Sequence, residues 1–270
     1  MSLALFYLAL VFYLLGTLHY LLFLLIRGLR TGRVASGATL IGFFFHTLSL
    51  LLRLYEAGHP PIGSLPEGLS FSAWAIVLFQ LFLEHRHKSQ ILGAFLLPIA
   101  LVLGSTGAAL PKRIEALAPA LKGFWLWVHI SLSPFGYAAF ALAFGTGLMY
   151  LLQERQLKRK HLGSFSLKLP SLELLDGLSY RSLSLGFPLL TLGIITGSIW
   201  AQYAWGSYWS WEPKQVWSLV TWFIYAALLH GRLSLAWRGR KAAILSIIGF
   251  GFVLFSFFGI NLFSPGRHVF

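Results

Sequence analysis

The chain has 270 residues, 57% of them hydrophobic and only 11% charged, with a formal charge of +13 and a mean hydropathy of +0.74. A soluble domain carries roughly 25% charged residues, so this composition excludes one, and its hydrophobicity excludes a disordered chain. The absence of cysteine rules out a disulfide scaffold, a thiolate zinc site, an iron–sulfur cluster and any thiol chemistry by the chain itself.

Apolar runs of about 20 residues cross a bilayer as helices. Eight occur, at about 3–26, 34–54, 68–84, 91–110, 123–152, 183–204, 215–236 and 242–263. The expected fold is all-α, a polytopic membrane protein forming a single transmembrane domain over 1–270. The third run is short, and the fifth is long enough to tilt or project. The N-terminus has no basic segment and no small-residue cleavage site ahead of a soluble stretch, so no cleavable signal peptide is expected. No internal repeat is visible.

Lys and Arg in the connecting loops predict orientation. The alternate loops near 27–33, 86–88, 155–181 and 232–241 carry 15 of them, against 6 on the opposite side. The richer side is expected to face the cytoplasm, which places both termini outside. The positive charge then reflects topology and attraction to anionic membrane lipids. A nucleic-acid partner is not expected, because the basic residues are scattered over short loops with no groove-forming domain. The longest cytoplasmic loop is expected at 153–182. Within it Ser171 can cap a short helix after Pro170, and Leu172, Leu175 and Leu178 recur at helical spacing. The pattern fits an amphipathic helix lying in the interface, or a plain connector.

The outer loop at 199–217 is unusual. Six of the ten tryptophans fall between Trp200 and Trp222. Tryptophan favours membrane interfaces in general, so an aromatic belt accounts for part of this. It accounts less well for such density at one edge. Trp205, Tyr208, Trp209 and Trp211 could instead form a flat aromatic shelf for a planar apolar ligand. Gly206 lets the backbone approach a ligand, and Pro213 opens the seventh helix with Glu212 just before it. Lys214 could reach an anionic group. An apolar plate with charged edges suits haem and its propionates.

The stretch Trp205–His230, read as Trp-Gly-Ser-Tyr-Trp-Ser-Trp-Glu-Pro-Lys-Gln-Val-Trp and onward, resembles the tryptophan-rich signature of the CcsA/ResC/CcmC haem-handling superfamily. It is most similar to the CcsA branch of cytochrome c maturation, and short HemX-like members are also similar. The likeness extends to His129–Gln153, Leu169–Trp200 and Asn261–His268. It implies that His129 and His268 flank the shelf as iron ligands, and that His230 belongs to an inner haem site. The sequence departs from the family pattern at Glu212, where aspartate is usual, and at Gln215, where the family has a carboxylate. Val269-Phe270 follows His268 in place of the usual Ser-Tyr.

Depth can be counted at 1.5 Å per residue. His129 lies about 9 Å inside the outer start of the fifth span, on the same side as the tryptophans. His230 lies ~21 Å and His19 ~24 Å below the outer edge, so these two could meet at an inner site. The sequence equally allows His19 a structural contact with a neighbouring helix. His46 sits mid-membrane without an assignment. His59 reads as a solvated loop residue, and His85, His87 and His161 as solvated charge. Arg53 and Glu56 are expected to pair or to reach the interface.

The function expected is that of a membrane haem-binding and haem-delivery protein in c-type cytochrome maturation, with non-covalent haem b as its ligand. The thiols for attachment must come from the apocytochrome c Cys-x-x-Cys-His segment. The resemblance implies a CcsB/ResB-type membrane partner and a place in the bacterial cytoplasmic membrane or its organellar equivalent. A HemX-like regulator of haem synthesis, a b-type electron-transfer cytochrome and a transporter of another flat ligand are the alternatives.

Overall fold

A computed structural model describes residues 1–25, 29–60, 63–110, 123–160, 163 and 165–259. Among these residues there are eight α-helices and no strand. They are α1 (Ser2–Leu25), α2 (Leu29–Ala57), α3 (Leu65–His87), α4 (Ile91–Ala109), α5 (Phe124–Lys158), α6 (Leu172–Trp205), α7 (Pro213–Ser234) and α8 (Arg240–Leu254), which ends in a π-helical turn at Phe255–Gly259. All eight are long and apolar enough to span a membrane. The chain is a multi-pass membrane protein.

The helices form two groups. In the first, α1 packs on α2 and α4, and α3 packs on α4. In the second, α5 packs on α6 and α8, with α7 against α6 and α8. Contacts of α3 and α4 with α5 join the groups.

The α5–α6 pair is the most extensive helix contact. The two run antiparallel, with His129 opposite Gly197, Ser133 opposite Gly193, Gly136 against Leu190 and Phe140 against Gly186. A Cβ on Gly136 would stand 3.2 Å from the Leu190 backbone nitrogen, and one on Gly186 2.7 Å from the Phe140 ring. Lipid tails are as apolar as leucine, so close packing of small residues is what draws such helices together.

The structure corrects the reading of 153–182 as a long loop. α5 continues to Lys158, and α6 begins at Leu172 and runs 34 residues without a break. Ser171 does act as the N-cap, its hydroxyl accepting the Leu174 N–H at 3.2 Å. The helix it caps is α6 itself, not a separate interfacial one. Leu175, Leu178, Ser179 and Ser182 are buried in the bundle. At about 1.5 Å per residue, α5 and α6 both exceed the roughly 30 Å of a hydrocarbon core, so both project beyond it.

Ionic ties hold each end of the bundle. At one end the Asp176 carboxylate accepts both terminal nitrogens of Arg232, at 2.9 and 2.8 Å, and the Gly239 N–H at 2.9 Å. Lys168 donates to the Phe23 and Leu24 carbonyls at the C-terminus of α1. At the other end Arg53 pairs with Glu67 at 2.7 Å, and Glu56 pairs with the Met1 amine at 3.3 Å. His46 is fully buried, bonded to the Tyr13 hydroxyl at 3.1 Å and the Ser70 hydroxyl at 2.9 Å, as a structural histidine would be.

Removing one member of the part-buried Asp176–Arg232 pair leaves the other charge uncompensated, a cost that reaches about 3–5 kcal/mol for a fully buried pair. Asp176→Ala should therefore lower the thermal midpoint of the detergent-solubilised protein sharply. Asp176→Leu combined with Arg232→Met should recover most of that loss. Equal midpoints for wild type and Asp176→Ala would show that this junction does not hold α6 to α7 and α8.

Candidate functional site

A cavity of about 260 Å³ opens at the end of the bundle where α3, α5 and α7 begin and α6 ends. Its walls are largely apolar, with Leu126, Ile130, Leu190, Ile194, Trp200 and Trp209 among them. The polar part of the lining includes His129, Ser133, Ser198, Lys214, Gln215 and Ser256. The start of α3, from Gly63 to Gly68, contributes to the lining, so both helix groups build the cavity.

His129 is the imidazole among the wall residues contributed by α5. Its Nδ1 lies 2.6 Å from the Gly193 carbonyl oxygen on α6. A carbonyl has no proton to give, so Nδ1 must carry it. In the neutral imidazole the lone pair then resides on Nε2. Metal-ligating histidines are almost always arranged this way, with the far ring nitrogen donating to a carbonyl or carboxylate. The ring lies against Gly197, where a Cβ would stand 2.7 Å from Nδ1.

The tryptophan segment is shorter than the loop read from sequence. α6 extends through Trp205, and α7 starts at Pro213 with Glu212 as its N-cap residue. Only residues 206–212 connect them. Gly206 ends α6 in the left-handed region at φ 75°, its N–H bonded to the Gln202 carbonyl at 2.9 Å, a conformation that favours glycine. Trp211 also has a positive φ, of 56°, which is uncommon for a bulky residue. The Ser198 hydroxyl donates to the Tyr208 carbonyl at 2.8 Å, and the Ser210 N–H donates to Gln215 Oε1 at 2.8 Å. These bonds fasten the connection to both flanking helices.

The tryptophans do not form one flat shelf. Trp209 and Trp211 meet at 87°, with ring centres 5.8 Å apart, and Trp205 stands edge-on to Trp200 at 68°. Trp209 and Trp200 line the cavity, whereas Trp211 and Tyr208 are 70% and 59% exposed. Lys214 lies at the cavity in the first turn of α7. Gln215 lines the same cavity and supplies the acceptor that pins Ser210.

The other predicted positions fare differently. His268 and Asn261 lie outside the described residues. His19 bonds within its own helix, its Nδ1–H donating to the Leu15 carbonyl at 2.8 Å. His230 is exposed on α7. α1 and α7 share no extended interface, and the structure does not bring these two histidines into contact. His59 is not a free loop residue, because its ring stacks on Trp127 at 18°. Trp200, Gly193, Gly197 and the start of α3 belong to the site without having been singled out from sequence. The Gly-x-x-x-Gly spacing of Gly193 and Gly197 in an apolar run was the available signal.

The profile of the cytochrome c assembly protein family matches residues 62–268. A cytochrome c biogenesis protein CcsA from Pyropia yezoensis is 36% identical, covering 87% of this chain and 86% of its own. One from Prochlorococcus marinus strain NATL2A is 38% identical over 84% of this chain and 82% of its own. Among solved structures, the cytochrome c haem lyase CcmF superposes with a TM-score of 0.69 at 19% identity. That likeness covers the whole of this chain and 50% of CcmF, so the chain spans about half the length of that protein and shares its fold. With this cavity at the end of eight membrane-spanning helices, the chain belongs to the cytochrome c assembly protein family and has its role in cytochrome c biogenesis.

Proposed function

We propose that the chain binds haem non-covalently in this cavity and presents it at the extracytoplasmic face for attachment to apocytochrome c. The observation that carries the reading is His129, whose Nδ1–H is held by the Gly193 carbonyl at the wall of an apolar cavity. An imidazole so arranged offers Nε2 to a metal. Iron in haem needs one or two axial ligands, not a cluster, and among the described residues no three His, Asp or Glu side chains gather as a metal site.

The chemistry of the lining fits the porphyrin. Trp200 and Trp209 offer apolar rings to the macrocycle, and Lys214 offers a cation to a propionate. Free haem is sparingly soluble and redox-active, so an apolar enclosure both holds and shields it. In this reading His268 supplies the second ligand, and His230 marks a lower station that haem passes on its way. The protein's part is to hold the haem vinyl groups within reach of the apocytochrome thiols, which is catalysis by proximity. The chain has no thiol of its own.

The same reading sets the tryptophan end outside, as the loop charge bias supports, with both termini on that side. It places the protein in a bacterial cytoplasmic membrane or the organellar equivalent. A CcsB/ResB-type subunit is the partner that would receive apocytochrome c beside the cavity. No observation favours the regulatory, electron-transfer or other-ligand alternatives.

The reduced absorption spectrum of the purified full chain tests this. His129→Ala should lose the wild-type axial ligation spectrum and most of the bound haem, and cells relying on it should lack c-type cytochromes by haem staining. An unchanged spectrum and haem content would contradict the assignment. Gln215→Ala should release the Ser210 end of the connection and weaken haem retention through the neighbouring Trp209. Gln215→Glu keeps the acceptor and should retain haem as wild type does. Equal retention in all three proteins would separate the connection from haem binding.

A further inference from the structure

We propose that the Gly193-Ile194-Ile195-Thr196-Gly197 turn of α6 is a positioning element for His129, setting both the place and the electronic character of its ring. The proposal rests on the reading of His129 as an iron ligand. Two independent features of the structure carry it.

The first is space. The imidazole occupies the volume that a side chain at position 197 would fill, since a Cβ on Gly197 would come within 2.7 Å of Nδ1, 2.8 Å of Cε1 and 3.3 Å of Cγ. Two ring atoms under 3.0 Å mean that the imidazole must shift to admit a Cβ, and a shift of the ring disturbs its bond to the Gly193 carbonyl. Gly193, one turn away, makes the same allowance for Ser133, whose Oγ would lie 2.7 Å from a Cβ there. The Ser133 hydroxyl in turn donates to the His129 carbonyl at 3.0 Å. Both glycines are therefore seats for side chains of the His129 turn, in addition to bringing the helices together.

The second is charge. The Gly193 carbonyl accepts the His129 Nδ1–H at 2.6 Å and also a Thr196 hydroxyl at 3.1 Å. A short bond from Nδ1–H to a helix carbonyl fixes the tautomer and makes Nε2 more basic. A more electron-donating axial nitrogen stabilises the ferric state and lowers the iron reduction potential. Ile194 and Gly197 themselves line the cavity, so any shift of the turn is felt at the ligand.

The test uses the full chain purified with haem, comparing wild type, His129→Ala and Gly197→Ala by reduced spectrum and redox titration. His129→Ala examines the ligand assignment alone. Gly197→Ala leaves His129 in place and should retain haem while weakening its axial bond. It should give a raised midpoint potential and an altered spectrum, both moved back towards wild type by added imidazole. A wild-type spectrum and potential in Gly197→Ala, beside a changed His129→Ala, would overturn the proposal and leave the ligand assignment standing.

If Gly197→Ala does not accumulate, the steric conflict can be removed at its source. His129→Gly should accept free imidazole as a replacement ligand, monitored by the spectrum. Adding Gly197→Ala to that variant should raise the half-saturating imidazole concentration at least about tenfold, the scale seen when an orienting partner is lost. Equal imidazole affinity with and without Gly197→Ala would overturn the proposal. A His129→Gly protein whose spectrum matches wild type without imidazole would instead overturn the ligand assignment.

Discussion

The close antiparallel approach of α5 and α6 is the constraint on which the functional end of the molecule depends. Gly136 and Gly186 bring the two backbones together at mid-length, and that register carries upward to set His129 over Gly197. Lipid gives no hydrophobic reward for burying one apolar helix face against another, so the pairing relies on tight contact and on polar groups that find partners across it. The bond from His129 to the Gly193 carbonyl is one such partner. A histidine in this position therefore serves packing and site geometry together, and neither can be altered without the other.

The rest of the site is arranged around that pair. The cavity draws on the starts of α3, α5 and α7, the end of α6 and the π-helical turn after α8, so it lies where the two helix groups meet. Binding sites commonly sit at such junctions, with apolar walls and few polar groups. The connection from Gly206 to Glu212 borders it through Trp209 and is fastened by Ser198 on one side and Gln215 on the other. Such fastening leaves Trp209 turned to the cavity while Trp211 and Tyr208 remain exposed, available to the membrane surface or to a partner protein.

Eight membrane-crossing helices were legible in the sequence because length and apolarity suffice to specify them. The start of α6 was not. Glu173, Asp176 and Arg181 break its apolar run, and hydropathy cannot register that Asp176 is matched by Arg232 from another helix. The tryptophan cluster was visible as composition, but composition encodes neither ring direction nor the left-handed backbone at Gly206 and Trp211. His129 stood out as an intramembrane imidazole on the side of the tryptophans. Its seat did not, because a glycine in an apolar helix looks the same whether it faces lipid, a backbone or a ring. The depth match of His19 and His230 shows the complementary failure: equal depth places two residues on one level, not on facing helices.

The most direct measurement of the central claim is an experimental structure of the full chain with haem bound. The account predicts iron bonded to Nε2 of His129, with Nδ1 still donating to the Gly193 carbonyl and Trp209 against the macrocycle. Haem seated elsewhere in the bundle, or a His129 ring that reaches iron only after leaving the Gly193 carbonyl, would contradict it.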